Sequence, residues 1–267
     1  MKKIIQQLKR QGLKVTHSKS VYTAHLAPRQ NAKVQVTTNE SIDLVFTVGV
    51  QAHLAVKEIW QKGNQSSKVL LSLGAESKVD YYINGARHVS PNIDYQAYLN
   101  RGSTINFYSY LKTNQALTGQ FIFRHQKPGS EARINLGLNL SGNSQTKLMV
   151  LNHHRSQKTT GDIVIKCLAQ DRVNATIDGL IKIEPQAKFT DSYLTENVLL
   201  LSGQAEVRAV PNLEILNNEV KASHSASLGR VDDEMIYYLM SRGLSKLKAE
   251  QVLIKSFFKD IWQYVKV

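Results

Sequence analysis

From Lys33 to Gly229 apolar and polar residues alternate with period two, in short runs punctuated by turn residues. Asp43-Leu44-Val45-Phe46-Thr47-Val48, Thr104-Ile105-Asn106-Phe107-Tyr108 and Asp162-Ile163-Val164-Ile165-Lys166 are examples. No helical period of ten or more residues interrupts them. Arg172-Val173, Lys188-Phe189, Glu206-Val207 and Glu219-Val220 each open a strand-like segment, and their apolar members are 16, 18 and 13 residues apart. Repeated strands without intervening helices suit the coils of a β-solenoid, each burying its inner face on the next. A β-sandwich gives similar spacing.

The two ends read as helical. Residues 1–14 carry Ile4, Ile5, Leu8 and Leu13 among five cations, which predicts a short amphipathic packing helix. After Gly229, Asp232 is a candidate N-cap, Met235, Ile236, Leu239 and Met240 make a stripe, and Gly243 fits the residue past the helix end. Ser245 caps a second helix with an apolar stripe from Val252 to Val265. The expected organisation is an N-terminal helix and lead-in (1–32), a β-only body (33–229) and a C-terminal helical hairpin (230–267).

Charge and cysteine usage narrow the classes. The 267 residues include 34 Lys plus Arg against 21 Asp plus Glu, a net charge of +13, so a polyanionic partner is conceivable. Aromatic residues are only 7% and no basic run is interleaved with them, which argues against a dedicated nucleic-acid surface. One cysteine excludes an intrachain disulfide and a metal site built from several thiolates. The start is basic but lacks the apolar core of a signal peptide, and the longest aliphatic run, Val198-Leu199-Leu200-Leu201, is far too short to span a bilayer. The expectation is a cytoplasmic protein without a membrane partner.

Candidate chemistry is sparse. There is no phosphate-binding loop, nucleophile elbow or zinc-helix motif. Of the eight histidines, the adjacent His153 and His154 point to opposite strand faces and cannot chelate one ion together. Cys167 shares a face with Ile163 and Ile165 and reads as a small buried hydrophobe. His224 shares a face with Val220, Ala222, Ala226 and Leu228, so it reads as a core or interface histidine, or as a metal ligand or proton-transfer group reached across a subunit interface. Asp232, Asp233 and Glu234 are explained by a helix start. A β-helix carbohydrate-active enzyme would need acidic residues at a repeating offset, and the aspartates from Asp43 to Asp191 show none.

The stretch Pro211-Asn212-Leu213-Glu214-Ile215, then Val220 to Gly229 with Ala222-Ser223-His224-Ser225, then Asp232-Asp233-Glu234 and Tyr238-Leu239-Met240-Ser241-Arg242-Gly243, resembles the C-terminal signature of the SufB/SufD family of iron–sulfur assembly scaffold components. Upstream, Pro185-Gln186-Ala187, Thr190-Asp191-Ser192-Tyr193 and Val198 to Ser202 also fit, so the resemblance covers roughly 145–262. It implies a right-handed parallel β-helix whose C-terminal helices dock on the ABC-type ATPase SufC. It also implies pairing of a SufB-like with a SufD-like chain through the ends of their β-helices, with the cluster forming near that junction. The cysteine of SufB finds its nearest match in Glu196, and the histidine on the SufD side matches His224. SufD typically reads Cys-Ser-His-Gly where this chain has Ala222-Ser223-His224-Ser225, so the chain is SufD-like with that thiol lost, and shorter than the usual SufD in its N-terminal half.

The resemblance thus implies a non-catalytic scaffold subunit, partnered by a SufB-like chain or by itself. His224 is the interface residue and candidate metal ligand, and Phe257, Phe258 and Trp262 are the candidate ATPase-docking residues. No cofactor is expected to stay on the isolated chain, a transient Fe–S cluster at the complex interface being the most that is implied.

Overall fold

The computed structural model describes residues 6, 8–18, 21–38, 41–60, 66–85, 92–231 and 233–265. The strands of the first half are β1 (Lys14–Ser18), β2 (Val21–Leu26), β3 (Asn31–Thr38), β4 (Ile42–Val48), β5 (His53–Trp60), β6 (Ser66–Leu73), β7 (Lys78–Gly85), β8 (Asn92–Leu99) and β9 (Thr104–Thr113). Those of the second half are β10 (Leu117–His125), β11 (Glu131–Leu140), β12 (Gln145–His154), β13 (Thr160–Ala169), β14 (Asn174–Ile183), β15 (Asp191–Leu200), β16 (Glu206–Ala209), β17 (Asn212–Ile215) and β18 (Lys221–Arg230).

Even-numbered strands from β2 to β16 lie side by side in one sheet, which also holds β1 and β17; odd-numbered strands from β3 to β15 and then β18 form the other. Every pairing is parallel except β1 with β2. The chain therefore coils, laying one strand in each sheet per turn, as a parallel β-solenoid of about seven turns. A full turn takes 25 residues from His53 to Lys78 and 31 from Thr160 to Asp191. The gaps of 13 to 18 residues in the sequence are thus half-turns, from one sheet to the other. Inward positions alternate along most strands, strictly so in His53–Trp60 and Gln145–His154, and fill one continuous core.

The corners obey a repeat that the hydrophobic pattern hides. Arg29, Gln51, Glu76, Gly102, Gly129, Lys158 and Phe189 all have positive φ, and stack turn upon turn. Each donates its N–H to a carbonyl of the next turn, from Arg29 N to Val50 O through to Phe189 N to Glu219 O. The residue after each of the last five is Ser77, Ser103, Ser130, Thr159 or Thr190, buried, with its hydroxyl on the carbonyl three residues back. This satisfies polar backbone that the turn would otherwise bury unpaired. Thr159 Oγ1 also lies 2.8 Å from His154 Nδ1 and 3.1 Å from Thr190 Oγ1. We expect Thr159→Val to destabilise the chain by about 1–3 kcal/mol in urea unfolding, since it strands buried partners; a shift too small to measure would rule out this role of the ladder.

Three boundaries differ from the sequence expectation. The sheets begin at Lys14, so the segment 1–32 contributes β1, β2 and the start of β3 to the body. Residues 8–10 are helical, with Leu8 and Leu13 buried in the core, while Ile4 and Ile5 lie outside the described residues. At the other end the helices are α1 (Asp233–Ser241), α2 (Lys246–Phe257) and α3 (Lys259–Val265). The expected second helix is two, because Phe258 leaves the helical path at φ −96° and is drawn wholly into the outer face of the odd-strand sheet. Ser245 caps α2 and Gly243 takes a φ of +89°, both as expected; Asp232 lies outside the described residues. No helix among the described residues is long and apolar enough to cross a membrane.

Candidate functional site

The solenoid is closed at one end and open at the other. Leu8 and Leu13 cover the first turn. The last turn, made of β16, β17 and β18, has nothing stacked on it among the described residues. Its inward-facing residues Val207, Ala209, Leu213 and Ala222 are only partly buried, and Leu228 is 64% exposed. β18 is an edge strand ten residues long. A long edge presents unpaired N–H and C=O groups, a ready template for another chain.

His224 lies in this strand, opposite Leu194 in register, and is exposed. The core alternative for His224 is therefore wrong, and the interface alternative stands. Its alternation places it on the inner face, but burial requires a further turn above it, which none of the described residues supplies. The hydroxyls beside it bond downward to the turn below: Tyr193 to Ser225 at 2.8 Å and Ser227 to Asn197 at 2.7 Å.

One turn beneath the mouth sits Glu196, in register with Ala226 and 1% exposed. Its Oε1 accepts the Gly179 N–H at 3.1 Å from the facing sheet. β14 pairs with β16 up to Ile177 and with β17 from Leu180, so Gly179 falls at the break between them. A Cβ on Gly179 would meet Glu196 Oε1, so any larger residue there would displace this carboxylate. Glu196 Oε2 is buried without a partner. Burial pushes this carboxyl up to about 7, the Gly179 N–H holds it back, and Asp178 adds to the rise. Sequence reading noted Glu196 only as a missing thiolate; its inward parity was the signal that a carboxylate is buried here.

The remaining candidates fall elsewhere. Cys167 is fully buried and burial pushes its thiol up to about 12, so it is no nucleophile or ready thiolate ligand. His154 points inward and His153 outward, as expected. His154 stacks on His125 with ring centroids 4.4 Å apart, and His153 Nε2 pairs with Glu184 at 2.7 Å. Burial pushes His125 down to about 4, against its hydrogen bonds with the Asn152 carbonyl oxygen and with Ser130. Burial pushes His154 down as well, helped by His125 and His153. The described residues contain no cluster of three or more His, Cys, Asp or Glu side chains suited to a metal ion.

The proposed docking aromatics are largely inward. Phe258 is 0% exposed and packs edge-on against Tyr110; Trp262 and Phe257 are half-buried beside it. Lys166 pins this region by donating to Phe257 O at 2.9 Å and pairing with Asp260 at 2.8 Å. The three residues moor the helices to the sheet, so Phe258 cannot meet a partner directly. Sequence could not distinguish these two uses of an apolar stripe, because the strands that cover it are far away in the chain. On the helices the apolar residues left uncovered lie mostly on α1 and α2, with Tyr238 55% and Leu247 66% exposed, accompanied by Met235, Tyr237, Met240 and Val252, and with Tyr264 on α3.

Residues 23–257 match the family described as "SUF system FeS cluster assembly, SufBD core domain". The chain belongs to the SufBD core family. Among its relatives is the "Iron-sulfur cluster assembly protein SufD" of Escherichia coli (strain K12), 42% identical over 96 residues, which is 36% of this chain and 23% of that protein. SufD of Bacillus subtilis (strain 168) is 36% identical over 108 residues, covering 40% of this chain and 25% of the relative. An iron-sulfur cluster assembly SufBD family protein of Mycobacterium leprae (strain TN) is 34% identical over 149 residues, 52% of this chain and 37% of the relative. The matched stretches thus span between about a quarter and under two fifths of those relatives. This SufBD chain is SufD-like, as the C-terminal motifs implied.

Proposed function

We propose that this SufBD chain is a non-catalytic, cytoplasmic scaffold subunit that seats a SufB-like chain on its open last turn and a SufC-like ABC ATPase on α1 and α2. The observation that carries the reading is the uncapped turn itself: an unpaired edge strand, part-exposed apolar inner residues and an exposed inward-parity histidine on one end of an otherwise closed solenoid. A partner's terminal turn would cover the apolar residues and bring its own ligands to His224. The iron and sulfide are cargo at this junction. One imidazole holds no cluster by itself, so the partner supplies the thiolate. ATP-driven closure of the ATPase pair would act on the junction through α1–α3, which Phe258 and Lys166 moor to the odd-strand sheet. A second copy of the chain in place of a SufB-like partner would bury the same surface but bring no thiolate at the position of Glu196.

His224→Ala tests the reading. The side chain is exposed, so the isolated variant should keep its melting temperature within a few degrees, as surface substitutions do. Cluster yield on the reconstituted complex with a SufB-like chain and the ATPase should fall sharply. Normal cluster yield from the His224→Ala complex would reject the role given to His224.

A further inference from the structure

The outer face of the odd-strand sheet carries a row of aromatic rings that ends at a cleft. Lys57, Tyr82 and Tyr108 are in register on β5, β7 and β9. The Tyr82 and Tyr108 rings stack with centroids 5.8 Å apart and planes 13° apart, and Tyr264 of α3 stacks on Tyr108 at 4.0 Å. Asn84 holds the end of α3 in place by donating to Val265 O at 3.3 Å. Where the row ends, an open cleft of about 600 Å³ begins, and Tyr82 and Tyr264 line it while Tyr108 lies behind. Its floor is Ala55, in register between Lys33 and Asp80, and the small methyl group is what leaves the cleft deep.

The charges around this cleft do not balance. Lys33 and Lys57 line it, and Asp80 is the one acid among the described residues that do. Asp80 is already matched. Its Oδ2 lies 2.6 Å from His53 Nε2 and 3.4 Å from Lys78 Nζ, and its Oδ1 accepts from Asn106 at 2.7 Å. The two lysines therefore set a positive field beside an aromatic wall, and a cleft with low-dielectric walls focuses such a field. The volume is that of a site for one small ligand.

We propose that this cleft binds a nucleoside phosphate, with the base laid on Tyr82 over Ala55 and the phosphate between Lys33 and Lys57. A heteroaromatic base continues the Tyr108–Tyr82 stack by one ring. Stacking on an aromatic side chain tolerates any base, so the ring and the charge define the ligand class here, not one nucleobase. Lysine ammonium groups serve a phosphate as point charges. His53 spends Nε2 on Asp80, which leaves Nδ1 for a ribose hydroxyl. The site lies on the first turns of the solenoid, far from the uncapped last turn, and stands independently of the scaffold reading.

The test is isothermal titration of the full chain with AMP, adenosine and inorganic phosphate at physiological salt, beside melting curves of each variant. One AMP should bind per chain, with adenosine and phosphate each weaker by roughly tenfold or more. Tyr82→Ala and Lys33→Glu should each weaken AMP binding by about tenfold, the size of a lost base stack. Tyr82→Phe should bind as the wild type does, because the ring and not the hydroxyl is used. Ala55→Leu fills the floor from an outward position, so it should abolish AMP binding and keep the melting temperature within a few degrees. Tyr193→Ala alters an exposed tyrosine at the far end of the same sheet and should leave binding unchanged. No AMP binding by the wild-type chain overturns the site, as does undiminished binding by folded Tyr82→Ala or Ala55→Leu. Phosphate bound as tightly as AMP reduces the cleft to a basic patch and overturns it too, and adenosine bound as tightly as AMP overturns the place given to the phosphate.

Discussion

Replacing Tyr238 and Leu247 together by Asp should abolish capture of the SufC-like ATPase and leave the melting temperature of the chain unchanged. Both residues are exposed, on α1 and α2, and each contributes apolar area that a partner's groove would desolvate. Anchors of this kind are worth about 2 kcal/mol each, so the pair weakens binding by near a thousandfold. Phe258→Ala should behave differently. It removes a fully buried ring from beside Tyr110 and Trp262, which costs about 3–5 kcal/mol of local packing and loosens α3 from the sheet. Capture would then fall only together with protection of α3 in hydrogen exchange. Full-strength capture by the Tyr238→Asp, Leu247→Asp chain would remove α1 and α2 as the docking element.

Stability between pH 7 and 4.5 should separate Glu196 from the buried histidine pair. His125 is held neutral, its pKa lowered to about 4 against 6.5 unfolded, so its contribution is complete above pH 6.5 and is lost as pH falls toward 4. The shift amounts to about 3 kcal/mol at its full extent. His154 adds to the loss in the same direction. Glu196 has the opposite sign. Its folded pKa is raised to about 7 from 4.5, so stability is full below pH 4.5 and is lost as pH rises through 7. The two effects oppose one another across the same window, and the wild-type chain should show a shallow profile. In Glu196→Gln the offset is gone, so urea unfolding at pH 7, 6, 5 and 4.5 should reveal a decline of about 2–3 kcal/mol on acidification. A Glu196→Gln profile as flat as the wild type would mean that the His125–His154 stack does not titrate with folding.

The alternation from Lys33 to Gly229 determined a β-only body, because a strand of period two fixes which residues face a core whatever that core proves to be. The motifs around Pro211 to Gly243 determined the family, and Ser245 and Gly243 marked helix ends by local hydrogen bonding and backbone conformation alone. Those are properties of neighbours in the chain, and neighbours in the chain are what a sequence displays. The ladder of Ser77, Ser103, Ser130, Thr159 and Thr190 was present in the sequence too, but its spacing drifts as the turns lengthen, so no fixed period exposes it. Tertiary structure decided what the strand pattern could not. Parity assigns His224 and Glu196 to one inner face, yet only the stacking order shows that a turn lies above Glu196 and, among the described residues, none above His224, making one buried and the other exposed. Likewise the stripe through Phe257, Phe258 and Trp262 proclaims an apolar face, while the surface that covers it, Tyr110 and its neighbours on a sheet over a hundred residues away, is set by how the coils stack.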